Sequence, residues 1–86
     1  MLTKIIKIHM SNGLHARPAA EFVRVASKFK SNVIIEHEGL TINGKSIMGL
    51  LMLGLAPGSE IRLIIDGEDE AAALEEITKL LESGQA

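Results

Sequence analysis

The hydrophobic pattern at the start of the chain changes from a two-residue period to a helical one. In residues 2–9, Ile6 and Ile8 fall on one side of an extended strand and charged side chains fall on the other. A break at residues 12–13 follows, and residues 16–28 carry apolar side chains at helical spacing. The apolar positions are Ala19, Phe22, Val23 and Ala26, and Phe29 directly after this segment continues the spacing. We therefore predict a half-buried strand followed by an amphipathic helix.

The middle of the chain predicts a hairpin and a short helix. Two apolar runs, residues 33–35 and 40–42, are separated by a Glu-Gly pair at residues 38–39 that is typical of a turn. Ser46 is a good N-cap residue, and the apolar run at residues 47–53 is long enough for a helix of about two turns. The glycine directly after that run can end the helix.

The last part of the chain predicts one further strand and one further helix. A Pro-Gly pair at residues 57–58 marks a turn, and residues 60–66 then alternate largely between apolar and charged side chains. Acidic residues at 68–70 suit the positive N-terminal end of a helix whose apolar positions are Leu74, Ile77 and Leu81. The order βαββαβα follows, and a hairpin between helices favours an α+β fold with helices packed on one face of an antiparallel sheet.

Length and composition leave room for one small domain, which we place at residues 1–86. The 86 residues can form one hydrophobic core but not a substrate domain beside a cofactor domain. Two Phe are the only aromatic residues, and charged residues of both signs are distributed along the chain with a net charge of -2. Both features argue against nucleic-acid binding. The lack of cysteine excludes disulfides and thiolate metal sites and fits a cytoplasmic protein. We expect neither a signal peptide nor membrane insertion, because the N-terminal apolar residues are interrupted by charges.

The densest group of chemically capable residues lies at 13–18, Gly-Leu-His-Ala-Arg-Pro, where the first strand gives way to the first helix. Because Pro18 suits the first turn of a helix, the helix is predicted to begin near Ala16 or Arg17, with His15 at or beside its cap. Free N–H groups and the helix dipole favour an anion there, and the guanidinium adds a fork suited to phosphate oxygens. The positive helix end also disfavours imidazolium and leaves the ring able to act as a nucleophile. The same residues are equally compatible with a polar helix cap beside a solvated arginine.

The short helix is predicted to have no polar face. If Leu50 and Leu53 point inward, then Ile47, Met48 and Leu51 form an apolar patch on the outside, which is typical of a protein-docking surface. Methionine lets such a surface adapt to more than one partner. The alternative is a helix buried on all sides or covered in a dimer, and composition alone slightly favours that alternative.

Three other groups of residues do not fit the sites that they superficially suggest. Residues 44–46, Gly-Lys-Ser, lack the spacing and the strand-loop-helix context of a nucleotide-binding P-loop. His9 and His37 have no metal-ligand spacing with His15 or with a carboxylate, and we interpret them as exposed strand residues. Residues 68–70 lack the glycine and the alternating ligands of a calcium loop. We therefore predict neither a metal site nor a cofactor.

Two motifs in register resemble one known family. Residues 13–20, Gly-Leu-His-Ala-Arg-Pro-Ala-Ala, and residues 45–49, Lys-Ser-Ile-Met-Gly, are similar to the signature segments of HPr. HPr is the histidine-containing phosphocarrier of the phosphoenolpyruvate-dependent sugar phosphotransferase system. The likeness covers essentially the whole chain, and it implies an open-faced β-sandwich, a four-stranded antiparallel sheet with three helices on one face.

The resemblance also implies roles for particular residues. His15 would accept a phosphoryl group from phospho-Enzyme I through its Nδ1 atom and donate it to the IIA component of sugar permeases, with Arg17 assisting the transfer. HPr kinase/phosphorylase would phosphorylate Ser46, and this modification would slow acceptance at His15. The first helix and the short helix would form the docking face, consisting of Ala16, Ala20, Ile47, Met48 and Leu51, with Arg24 at its rim. Such a protein is a monomeric phosphocarrier, not a turnover enzyme by itself.

One departure from the family pattern leaves the exact partners open. Glu21 puts a negative charge beside the docking face, where the family more often has a neutral residue. One alternative is a nitrogen-type phosphocarrier, which has the same histidine motif and serves regulatory targets. Another is a regulatory binding module that carries no phosphate, although family members specialised for regulation lack the histidine found here at position 15. The expected partners are Enzyme I and IIA domains, with HPr kinase/phosphorylase and a transcriptional regulator as further candidates.

Overall fold

A computed structural model describes residues 1–9 and 16–82 of the chain. Within these residues the strands are β1 (Leu2–Lys7), β2 (Asn32–His37), β3 (Leu40–Asn43) and β4 (Glu60–Asp66). The helices are α1 (Ala16–Ala26), α2 (Ile47–Leu53) and α3 (Glu70–Glu82). The order along the chain is the βαββαβα order predicted from the sequence.

The strands form one antiparallel sheet in the order β1-β4-β2-β3. Strand β4 lies between β1 and β2, so that Ile65 pairs with Leu2 on one side and with Val33 on the other. Strands β2 and β3 form the predicted hairpin, whose turn places Glu38 at φ 49° and Gly39 at φ 84°. Two successive positive φ angles suit the right-handed twist of a two-residue hairpin turn.

One side of the sheet packs against the helices and forms the core. The apolar positions of β4 predicted to alternate inward are buried together with apolar residues of the neighbouring strands. These strand residues are Ile6, Val33, Ile35, Ile61, Leu63 and Ile65. The helices contribute Phe22, Leu50, Ile77 and Leu81. The other side of the sheet carries exposed Ile5 and Ile34 and an Arg62–Glu36 ion pair of 3.4 Å, so the predicted open-faced α+β sandwich is confirmed.

Two elements are shorter than the hydrophobic pattern predicts. Helix α1 ends at Ala26 and not at Lys28, because the backbone N–H groups of Lys28 and Phe29 bond to carbonyls three residues back instead of four. Strand β1 ends at Lys7, so the exposed His9 lies beyond the strand and not in it.

Asp69 joins the start of α3 to the loop before β2. Its carboxylate accepts the backbone N–H groups of Lys30 and Ser31, each at 2.9 Å, and also the hydroxyl of Ser31. These bonds, the one from the Ser31 hydroxyl above all, lower the pKa of Asp69 to about 2. Gly67 allows the close approach, because a Cβ there would come within 2.6 Å of the Ser31 Cα. The acidic segment at 68–70 therefore also makes a tertiary connection, beyond the helix-start role predicted for it.

We expect Asp69→Asn to lower the melting temperature at neutral pH, because an amide accepts these hydrogen bonds more weakly than a carboxylate does. The pKa of Asp69 is about 2 in the folded protein, below its ordinary value of 3.8. The extra stability that the Asp69 carboxylate gives the parent is therefore fully present above the pKa of Asp69 in the unfolded chain. It is lost as the pH falls through about 2. Thermal melts of both proteins between about pH 1.5 and pH 7 measure this difference. Glu68→Gln, which removes only an exposed ion pair with Lys30, is the matched control. A difference in melting temperature between Asp69→Asn and the parent that stays constant with pH would contradict the coupling of stability to the protonation of Asp69.

Candidate functional site

The helix start predicted beside His15 is confirmed, while His15 itself lies outside the described residues. Helix α1 begins at Ala16, the next residue of the chain, and Pro18 is buried in its first turn. The N–H groups of a first helical turn have no acceptor within the helix, so a helix start at this place is suited to an anion. The missing N–H of proline costs nothing at this position.

Arg17 differs from the other two arginines of the chain. Arg24 and Arg62 are paired with Glu21 and Glu36. Arg17 is exposed, and no carboxylate among residues 1–9 and 16–82 forms an ion pair with it. Its guanidinium is therefore available to hold phosphate oxygens at the start of α1.

Both predicted ends of the short helix α2 are confirmed. Ser46 has an extended backbone with φ -118°, and its Oγ accepts the N–H of Gly49 at 3.1 Å. At the other end Gly54 adopts a left-handed conformation with φ 59° and donates its N–H to the carbonyl of Leu51 at 3.2 Å.

Contacts on either side fix α2 against the rest of the fold. Gly49 packs on β3 so closely that a Cβ there would lie 3.2 Å from the Cβ of Ile42. Just before the helix, the Nζ of Lys45 donates to the carbonyl oxygen of Phe29 at 2.8 Å. The position of Ser46 is therefore tied both to the sheet and to the loop that follows α1.

Helix α2 buries one side and exposes the other. Leu50 is fully buried and Leu53 is half-buried, as the sequence predicts. We define the α2 patch as the exposed residues Ile47 (41%), Met48 (68%), Leu51 (38%) and Met52 (79%). The interpretation in which α2 is buried on all sides is therefore wrong for this chain alone. Met52 is not among the residues predicted for the docking face, although its position four residues after Met48 indicates the same helix face.

Helix α1 packs beside α2 and exposes Ala16, Ala20 and Arg24. Arg24 is not free, because its Nε and Nη2 atoms donate to the two carboxylate oxygens of Glu21 at 3.0 and 2.6 Å. This pairing lowers the pKa of Glu21 and raises that of Arg24. The negative charge that departs from the family pattern is therefore balanced by its own neighbour one helical turn away.

His37 is not the exposed strand residue predicted from the sequence. Its side chain is only 16% exposed, because it lies on the same side of β2 as the buried residues Val33 and Ile35. Its Nδ1 atom lies 3.0 Å from the carbonyl oxygen of Glu60 and can donate to it. Across the described parts of the chain, no three histidine, aspartate or glutamate side chains are placed to hold a metal ion. The described helices also include none that is long and apolar enough to cross a membrane.

The fold is an open-faced α+β sandwich in which the start of α1 and the exposed side of α2 belong to two helices that pack against each other. A family model described as "PTS HPr component phosphorylation site" matches residues 2–83. Phosphocarrier protein HPr of Neisseria meningitidis serogroup A is 47% identical over 81 residues, covering 94% of this chain and 91% of the relative. HPr-like protein Crh of Bacillus subtilis strain 168 is 46% identical over 77 residues, covering 90% and 91%.

A solved structure supports the same assignment. The crystal structure of HPr-C-His from Thermoanaerobacter tengcongensis matches with a TM-score of 0.94 and 43% identity, covering 98% of this chain and 94% of that one. The chain therefore belongs to the HPr family of the phosphotransferase system.

Proposed function

We propose that the chain is a phosphocarrier that accepts a phosphoryl group from phospho-Enzyme I on His15 and donates it to the IIA component of sugar permeases. The observation that carries this proposal is the start of α1 directly after His15, with an exposed Arg17 in its first turn that has no ion-pair partner among the described residues. Open N–H groups, the helix dipole and a guanidinium all favour a phosphoryl group at that place.

The chemistry needs only a nucleophile that can also act as a leaving group. An imidazole nitrogen of His15 forms a bond to phosphorus while the bond from phosphorus to the donor breaks. The acceptor then attacks the same phosphorus and frees the imidazole, so the chain is a carrier and not a turnover enzyme. Because donor and acceptor must reach the same nitrogen, we infer that both dock in turn on the α2 patch and the exposed side of α1.

Phosphoenolpyruvate and a cognate Enzyme I test the proposal directly. We expect one acid-labile phosphate, located on His15 by peptide mass spectrometry, and its transfer to an added IIA domain. Transfer only to acceptors of the nitrogen-type system would favour that branch of the family. A chain that takes up no phosphate from active Enzyme I would contradict the proposal.

The relatives named Crh support a second candidate, a regulatory binding module. A solved structure of Crh from Bacillus subtilis is described as a catabolite repression HPr, and Crh of that species is 46% identical to this chain. A module of this kind would dock on a regulator through the same exposed helices without carrying phosphate. The histidine at position 15, followed by the exposed Arg17, favours the carrier.

We infer that the chain acts in the cytoplasm, which its lack of cysteine fits, and that it acts as a monomer, because the proposed partners need the exposed α2 patch to be uncovered. Solved structures of two relatives, HPr from Thermoanaerobacter tengcongensis and Crh, are described as dimers. Light scattering at the concentration of the transfer assay distinguishes the two states.

Arg17→Ala is expected to leave the fold intact and to slow phosphoryl transfer through His15. One charge-assisted bond to a phosphate oxygen contributes about 1.5–3 kcal/mol, which corresponds to a loss of roughly ten- to a hundredfold in rate. Rapid-quench measurement of phosphate uptake and discharge gives the rates. Arg62→Ala, which removes a guanidinium on the outer face of the sheet, is the matched control. Equal rates for Arg17→Ala and Arg62→Ala would remove Arg17 from the mechanism.

Ser46→Asp is expected to reproduce a regulatory phosphorylation at this position. Aspartate is also a good N-cap, so α2 and the melting temperature should be preserved, whereas its charge lies beside Ile47 and Met48 of the α2 patch. A docking partner must desolvate that charge, and we expect the affinity for Enzyme I to fall about tenfold or more. Ser46→Asn, which caps without a charge, is the matched control.

Incubation of the parent with HPr kinase/phosphorylase and ATP, followed by measurement of phosphate uptake from Enzyme I, tests the modification itself. We expect phosphate on Ser46 and slower uptake at His15. If Ser46→Asp and Ser46→Asn bind Enzyme I equally well, charge at this helix start has no inhibitory role.

A further inference from the structure

The methionines in the described part of this chain lie on the surface. The chain has four methionines, of which Met10 is outside the described residues. Met1, Met48 and Met52 are all exposed, and the described core is built from Ile, Leu, Val, Phe and Ala. Methionine therefore does not serve here as a flexible filler of core gaps, which is its common use in proteins.

Met48 and Met52 are one helical turn apart on α2, so they lie on the same face of that helix. Ile47 and Leu51 extend the same patch but present only hydrocarbon. The two thioether sulfurs are thus the chemically reactive atoms of the α2 patch. Their high exposure leaves both open to small oxidants in water.

We propose that Met48 and Met52 are sites of reversible oxidation, and that their conversion to sulfoxides by a hydroperoxide weakens docking on the α2 patch. This regulation rests on the proposed function, in which the patch docks Enzyme I and IIA domains. The thioether sulfur attacks one oxygen of the peroxide, and the O–O bond breaks as the S–O bond forms. With hydrogen peroxide the second oxygen leaves as water, so sulfur loses two electrons and the peroxide gains two. Methionine sulfoxide reductases restore the thioether.

The expected effect is on docking and not on folding. A sulfoxide puts a polar S–O group where a partner must exclude water, and a polar group buried without a hydrogen-bond partner opposes association. Helix α2 is held by buried Leu50, by the Ser46 cap and by Gly54, none of which involves the exposed sulfurs. We expect the affinity for Enzyme I to fall about tenfold or more when both sulfurs are oxidised, while the melting temperature stays close to that of the untreated protein.

The test compares the parent with the double variant Met48→Leu/Met52→Leu, which keeps Met1 and Met10. Both proteins are treated with hydrogen peroxide, oxidation is located by peptide mass spectrometry, and affinity for Enzyme I is measured by calorimetry. Each treated protein is compared with its own untreated form. Purified methionine sulfoxide reductases are then added to the oxidised parent, which gives a readout that needs no substitution.

We expect oxidised parent to lose affinity, the reductases to restore it, and the double variant to keep its own affinity although Met1 and Met10 are oxidised. The proposal is overturned if Met48 and Met52 stay thioethers while Met1 is oxidised, or if both are oxidised and docking is unchanged. It is also overturned if the double variant loses as much affinity as the parent. If the untreated parent neither binds Enzyme I nor takes up phosphate, the proposed function itself fails, which is a different outcome from normal transfer that peroxide does not alter.

Discussion

His15→Ala is expected to take up no detectable phosphate from phosphoenolpyruvate and Enzyme I, while His9→Ala and His37→Ala load as the parent does. The imidazole is the nucleophile of the proposed transfer, and alanine offers no atom that can form the bond to phosphorus. Neither His9 nor His37 directly precedes the start of a helix in the described part of the chain. His9 follows the end of β1, and the ring of His37 is half-buried against the carbonyl of Glu60.

The measurement is phosphate incorporation at saturating Enzyme I, with the melting temperature of each variant recorded beside it. Undiminished incorporation in a folded His15→Ala protein would contradict the assignment of the phosphorylated residue. Loss of phosphate incorporation in His9→Ala, together with normal incorporation in His15→Ala, would instead assign the phosphorylated residue to His9, just after β1. The three substitutions remove the same side chain, so differences among them report position alone.

Substitutions of two adjacent leucines of α2 are expected to have different effects, one on stability and the other on docking. Leu50 is fully buried, and Leu50→Ala should lower the free energy of unfolding by about 2–5 kcal/mol because it leaves a cavity between α2 and the sheet. Leu51 is 38% exposed on the α2 patch, and Leu51→Glu should change that free energy by roughly 0.5 kcal/mol or less. The same Leu51→Glu substitution should weaken docking to Enzyme I about tenfold or more, because it puts a charge where a partner must exclude water.

Urea denaturation measures the first effect, and calorimetry with Enzyme I measures the second. Measuring Leu50→Ala well below its own melting temperature keeps the protein folded while its affinity is determined. We expect that affinity to stay near the parent's value. Strong destabilisation by Leu51→Glu would show that Leu51 belongs to the core, and unchanged docking would remove it from the interface.

Much of this fold is predictable from the sequence because local patterns report burial and chain reversal. The alternation at Ile61, Leu63 and Ile65 marks which side of β4 faces the helices. Ser46 and Gly54 mark the two ends of α2, because a cap and a left-handed residue are properties of single positions. At the candidate site, Pro18 predicts the helix start at Ala16, whereas composition alone slightly favours a covered α2 and does not predict its exposed side.

The rest depends on which distant segments meet, and spacing along the chain does not contain that information. Asp69 looks like a helix-start carboxylate, yet it bonds to Ser31 across the fold. His37 looks exposed, yet its position against Glu60 depends on strand order. The Arg24–Glu21 pair is different, because its three-residue spacing on a helix is visible in the sequence.

The central position of β4 determines when the sheet can form during synthesis. Strand β4 follows the other three described strands along the chain, and it separates β1 from β2. Until Asp66 has left the exit tunnel, β2–β3 is the only strand pair of this sheet that the nascent chain can form. An isolated two-stranded hairpin is marginally stable at best. Strand β1, which carries the buried Ile6, has no neighbouring strand to pair with until β4 has been synthesised. We therefore expect the sheet to form only after β4 has been synthesised, through long-range pairing that is slower than local helix formation.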